Sequence, residues 1–147
     1  MYKIVIDTNL LIDGSEDDYN FGNRIIDEVL SGKLAAYANR PTLKENRFLV
    51  SQKVKDKEYR DKLDRYFEMV NLVDGSERLS VVDDPEDNKL LESAVAAQAD
   101  YLLSSDRHLL KIGEYRGIKV LPPSGFWSVY QEETDKGWDS WLKSFIQ

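Results

Sequence analysis

Four carboxylates stand where an α/β chain gathers chemistry. Asp7 closes the apolar, β-branched run YKIVI, and Asp106 follows the run YLLS by two residues. Both runs read as short buried parallel strands, and in an open parallel sheet the ligand crevice lies at the carboxyl ends of the strands. Asp87 opens a helical stretch, and its spacing to Leu91 and Ala94, four and seven residues on, puts it on the face that packs inward. Its carboxylate is therefore expected at the top edge of the sheet. Glu45 shares a helical face with Phe48 and Leu49, a poor place for a solvated acid. Four negative charges brought together repel and raise one another's pKa, and a buried carboxylate without a partner is costly. A cation must compensate them. An all-oxygen donor set without His or Cys suits Mg²⁺ or Mn²⁺, which activates water and neutralises charge on a phosphodiester. Phosphodiester hydrolysis is the reaction to which these residues point.

Each acid taken singly has an ordinary explanation. Asp7, Asp87 and Asp106 can cap the helices that follow them, a role worth about 1 kcal/mol, and Glu45 can close a capping box with Thr42. Capping does not explain why four acids share one crevice. Asp83, Asp84 and Glu86 crowd Asp87 but read as turn residues, with Asp84 the reserve candidate. His108 is the one histidine; it follows Asp106 in a short helix and reads as a surface or packing residue.

The elements that must position these residues alternate. Strands are predicted over residues 2–6, 34–38, 79–82, 101–104 and 118–121, each a short apolar run. Helices are predicted over residues 20–30, stopped by Ser31-Gly32, from Thr42 as cap to about residue 53, over residues 55–70 until Asp74-Gly75, over residues 87–98 and over residues 107–112. Gly113 and Gly117 read as breakers. The order β-α-β-α-α-β-α-β-α-β-α implies a three-layer α/β/α domain with a mostly parallel five-stranded sheet. The tail carries Phe126, Trp127 and Tyr130, expected to dock on the layer flanking the sheet. It then places Trp138, Trp141, Leu142 and Phe145 at i+3, i+4 and i+7, a stripe that either packs internally or serves a homodimer or another protein's helix.

At 147 residues, 41% hydrophobic and 32% charged without low-complexity blocks, the chain reads as one domain spanning residues 1–147. The lack of cysteine excludes disulfide scaffolds, thiolate zinc sites and cysteine nucleophiles. The opening MYKIVIDTNLLID gives neither a signal peptide nor a membrane span, so no membrane association and a cytoplasmic location are the expectation. The net charge of −7 opposes nucleic-acid binding as an average, but residues 40–70 hold nine basic residues against six acids. That stretch is either a solvated helical pair with i,i+4 ion pairs such as Asp61 with Arg65 or a phosphate-contacting face.

The blocks IVIDTNLLID, PTLKENRFLV and DDPEDNKLLESAVAAQADYLLSSDRHLL, in this order, resemble the succession of motifs in the PIN-domain family over most of the chain. The resemblance implies a metal-dependent ribonuclease, with RNA as substrate. It matches Asp7, Glu45, Asp87 and Asp106 to the family's acidic metal-site positions and Asn9 and Ser104 to supporting polar ones. Ser105 departs from the Gly often found at its position. The DPEDN and SSDRHLL phrasing is similar to the branch regarded as toxin components of bacterial or archaeal toxin–antitoxin pairs, which implies an antitoxin protein as partner. A catalytically silent, RNA-binding PIN-like module is the alternative; it has no reason to keep uncompensated carboxylates where phosphate must approach. A phosphoaspartyl phosphatase of the haloacid-dehalogenase type needs a second Asp two residues after the first, where this chain has Asn9. A response-regulator receiver needs a Lys after the last strand, whereas Lys119 lies within it.

Overall fold

The computed structural model describes residues 1–14, 21–75 and 77–146. In chain order the elements are β1 (Tyr2–Ile6), α1 (Thr8–Asp13), α2 (Phe21–Leu30), β2 (Leu34–Asn39), α3 (Arg40–Lys53), α4 (Lys57–Met69), β3 (Asn71–Val73), α5 (Pro85–Ala97), β4 (Tyr101–Leu103), α6 (Arg107–Leu110), β5 (Glu114–Tyr115), β6 (Ile118–Leu121) and α7 (Pro123–Ile146). The sheet runs β3-β2-β1-β4-β6-β5, parallel throughout except for the β5–β6 pair.

Side chains alternate across a pleated strand, and here the alternation divides two cores. Ile4, Ile6, Tyr101 and Leu103 face one side, against Leu11, Ile25, Ile26, Leu63, Phe67 and Phe126 of the helices α1, α2, α4 and α7. Val5 and Leu102 face the other, against Leu90, Leu91 and Ala94 of α5 and Leu109 of α6. The chain is thus the expected three-layer α/β/α arrangement.

Several expectations need correction. The sheet has six strands because Arg116 (φ 49°) and Gly117 (φ 82°) form a tight turn that folds β5 back on β6. The third strand is Asn71–Val73, not residues 79–82. The apolar run Leu79–Val82 is a loop whose Val81 and Val82 amides donate to the side chain of Asn88 rather than to a neighbouring strand. The cap of α3 is Asn39, whose Oδ1 accepts from the Thr42 amide at 2.7 Å, so Thr42 lies inside the first turn and no capping box with Glu45 is needed. The stop of α2 at Ser31-Gly32 matches: Gly32 takes φ 80° and the Lys33 amide reaches back to the Glu28 carbonyl at 2.9 Å. Asn20, the expected first residue of that helix, lies outside the described residues.

Candidate active site

The strand ends place the first two acids. The Asp7 amide donates to the Leu103 carbonyl at 2.9 Å, and the Ser104 amide donates to the Leu121 carbonyl at 3.1 Å. Asp7 and Ser104 therefore sit side by side at the carboxyl edge of β1 and β4. The Ser104 hydroxyl, fully buried, donates to Asp7 Oδ2 at 2.9 Å and accepts from the Asp106 amide at 3.0 Å. One hydroxyl thus fixes the rotamer of one acid and the backbone of the next. Asp7 Oδ1 also accepts from the Asn9 amide at 3.3 Å, and Asp106 Oδ1 from the His108 amide at 2.7 Å, so both acids do cap the helices after them. Asn9 itself is exposed at the rim of the crevice.

Asp87 is different. Asp84, not Asp87, caps α5, accepting from the Glu86 amide at 2.9 Å. Asp87 lies in the first turn, only 7% exposed, and its Oδ2 is buried without any hydrogen-bond partner. A buried acceptor without a donor is costly, and more so when it is charged. Burial, then the charges of Asp106, Asp84 and Asp7, push the Asp87 carboxyl up to about 6. Asp7 is raised as well, first by burial, against the opposing bonds from Ser104 and Asn9, with Asp106 adding to the rise. The charge of Asp106 thus bears on both Asp7 and Asp87.

These side chains line one open crevice of about 210 Å³, shared by Asp7, Thr8, Asn9, Thr42, Glu45, Asp84, Glu86, Asp87 and Asp106. Glu45 reaches it from across, on α3, but not from an inward-packed helix face. The buried face of α3 carries Asn46 and Val50, whereas Glu45 and Phe48 are exposed. Glu45 is an exposed wall of the crevice, and the charges that raise Asp87 come from the aspartates, with His108 opposing them.

Two buried amides went unread in the sequence. Asn46 on α3 accepts a short hydrogen bond from the Thr8 hydroxyl, tying the helix that bears Glu45 to the residue after Asp7. Its i,i+4 spacing to Val50 was a legible signal. Asn88 accepts from the Val81 and Val82 amides at 2.9 and 3.0 Å and donates to the Val82 carbonyl at 2.7 Å. It pins the loop that delivers Asp84.

The donor set is entirely oxygen, and the orphaned Asp87 Oδ2 is the kind of atom a hard cation satisfies. Among the described residues, no three His, Cys, Asp or Glu side chains close on a single point. The acids face a shared space instead of gripping one position. Such a crevice can bind divalent cations and repels phosphate until it does.

No curated protein sequence matches the chain significantly. Among solved structures, the chain is similar to VapBC2 from Rickettsia felis, crystallised bound to a DNA fragment from its promoter, with a TM-score of 0.53 at 14% identity, covering 80% of this chain and 96% of that one. That likeness is one of fold. The profile of the PIN domain, a fold generally found in nucleases, matches residues 3–108, a span that holds Asp7, Glu45, Asp87 and Asp106. The chain belongs to the PIN domain family.

Proposed function

We propose that this protein is an endoribonuclease dependent on Mg²⁺ or Mn²⁺ and acts as the toxin of a toxin–antitoxin pair. The observation that carries the reading is Asp87 Oδ2, buried and without a donor in a crevice walled by other carboxylates. Asp7, Asp87 and Asp106 would hold the cation, with Asp84 beside them and Glu45 from the opposite wall. A bound divalent ion supplies Lewis acidity toward a phosphoryl oxygen and an activated water. Ser104 holds Asp7 in its rotamer and Asp106 by its amide, so two acids keep fixed positions while the substrate changes shape. Asn9 stands at the rim, where its amide group can meet an incoming phosphate or sugar. The toxin assignment is supported by the DPEDN and SSDRHLL phrasing, and the fold shared with VapBC2 is consistent with it.

Incubation with total RNA in Mg²⁺, in Mn²⁺ and in EDTA, followed by mapping of the new ends, tests the reading. Discrete internal cuts that vanish in EDTA support it. RNA retained on the protein without cuts in either metal would favour the silent binding module instead.

A further inference from the structure

The first turn of α5 has a space on either side. Asp84, Glu86 and Asp87 line the carboxylate crevice. Asp83, Pro85, Asn88 and Lys89 line a second groove, of about 440 Å³, whose facing wall is the loop that runs from Arg78 to Val82. That wall is held in place: the Leu79 amide donates to Glu92 Oε1 at 3.2 Å, and buried Asn88 accepts from the Val81 and Val82 amides and donates to the Val82 carbonyl. A groove whose walls are fixed beforehand costs little ordering when it is filled.

The two spaces differ in charge. Six carboxylates and no Lys or Arg line the crevice, whereas the groove presents Arg78 and Lys89 together with the exposed hydroxyl of Ser80. Arg78 is exposed and has no ion pair among the described residues. Lys89 is half-buried and reaches Glu86 Oε1 at 3.0 Å, so its ammonium stands between the groove and the crevice. Glu86, and with smaller effect Glu45 of the opposite crevice wall and Glu92, raise the Lys89 ammonium above its ordinary value. Of the two acids in the groove, Glu92 is engaged by the Leu79 amide and Asp83 is exposed to water. A surface pair three residues apart contributes little to stability by itself. It does not require an unpaired arginine and a hydroxyl to share the same groove.

We propose that this groove is a subsite for the RNA strand beside the scissile bond, in which Lys89 and Arg78 hold a backbone phosphate and Ser80 donates to it. The inference rests on the reading of the crevice as a ribonuclease site. A crevice of carboxylates gives an approaching polyanion no attraction of its own. Cations one helical turn away supply that attraction and set the register in which the next phosphate enters the crevice. Lys89 and Arg78 are positioning residues: they bind away from the reacting atoms, so their loss should weaken the ground state and the transition state alike.

Steady-state cleavage of one mapped RNA site, carried on a nested series of oligonucleotides shortened from either end, tests the subsite. The double variant Arg78→Gln, Lys89→Gln should raise KM about tenfold or more with kcat kept, the size expected for a lost charge-assisted hydrogen bond. The salt slope of kcat/KM should fall by about 0.7 to 1 for each cation removed. The penalty should disappear on oligonucleotides too short to reach the groove, and Lys89→Arg with Arg78 intact should stay near the wild-type KM. The double variant Lys136→Gln, Lys143→Gln, which removes the same charge from the exposed end of α7, should leave KM unchanged. A wild-type KM in the groove variant, an equal rise in the α7 variant, or a rise that persists at every length would overturn the subsite and leave the ribonuclease reading intact. A wild type that cuts no RNA would remove that reading, and the subsite with it.

Discussion

Among the aspartates of the crevice, Asp87 is the one that caps no helix and has a buried oxygen without a donor. Asp7, Asp84 and Asp106 each receive a backbone amide, so their presence is accounted for by helix capping. Asp87 receives none at Oδ2 and is raised to about 6. The sign of its effect on stability follows by linkage. A folded-state pKa above the unfolded value means that the folded protein binds more protons between the two, so stability falls as pH rises from about 4 to about 6. Asp7, also raised, contributes in the same direction. In EDTA the Asp87→Asn variant should therefore melt higher than the wild type at pH 7 and gain nothing at pH 4. Millimolar Mg²⁺ or Mn²⁺ should cancel its advantage at pH 7 by stabilising the wild type. Thermal melts across that pH range check this, and an advantage that does not change with pH would remove the buried-charge account of Asp87.

At the scale of elements, the sequence carried the strands that hold the acids and missed the pieces between them. β1 and β4 are largely apolar runs closed by the polar residues Asp7 and Ser104, so their carboxyl ends, and with them Asp7 and Asp106, are legible in the sequence. Asp87 was readable from its spacing to Leu91 and Ala94. The inward face of α3 is not legible: Phe48 looks like a core residue but is 62% exposed, while polar Asn46 takes the inner position beside exposed Glu45. The run Leu79–Val82 resembles a strand in composition, yet its amides are claimed by one side chain, a tertiary contact that no local pattern encodes. β3 was hidden because three mostly exposed residues following a helix offer no alternation to detect. Asn88→Ala should release this loop. Three hydrogen bonds are lost, each worth about 0.5–1.5 kcal/mol at most, since Val81 is exposed and Val82 half-buried and their backbone can turn to water. The Val81 and Val82 amides should exchange faster with solvent than in the wild type, while those of β1 and β4 keep the order of their protection. Unchanged exchange at Val81 and Val82 would show that the loop does not depend on Asn88.

Over the whole molecule, charge is divided rather than averaged. The net −7 is concentrated away from residues 40–70, where the balance is positive. Part of that basic stretch serves the fold: Lys62 bridges to Asp27 at 2.5 Å and bonds Asn23, tying α4 to α2. Lys44 is exposed, next to Glu45 on the crevice wall, and no ion pair engages it among the described residues. If this flank meets phosphate, RNA binding measured with the Asp87→Asn variant should weaken with salt, and Lys44→Glu should lessen the salt slope by about 1. An unchanged slope, measured by fluorescence anisotropy over a salt series, would make the stretch an ordinary solvated surface. No described helix is long and apolar enough to cross a membrane.

Whether the carboxylate crevice hydrolyses RNA with a bound metal is read out by single-turnover cleavage in Mn²⁺. Wild type and Asp87→Asn would be compared on one mapped RNA site, with folding of the variant verified by its melting transition. The expected result is a loss of about 100-fold or more in the cleavage rate for Asp87→Asn, the size that follows removal of a preorganised electrostatic partner. Cleavage by Asp87→Asn at the wild-type rate would place the chemistry outside this crevice.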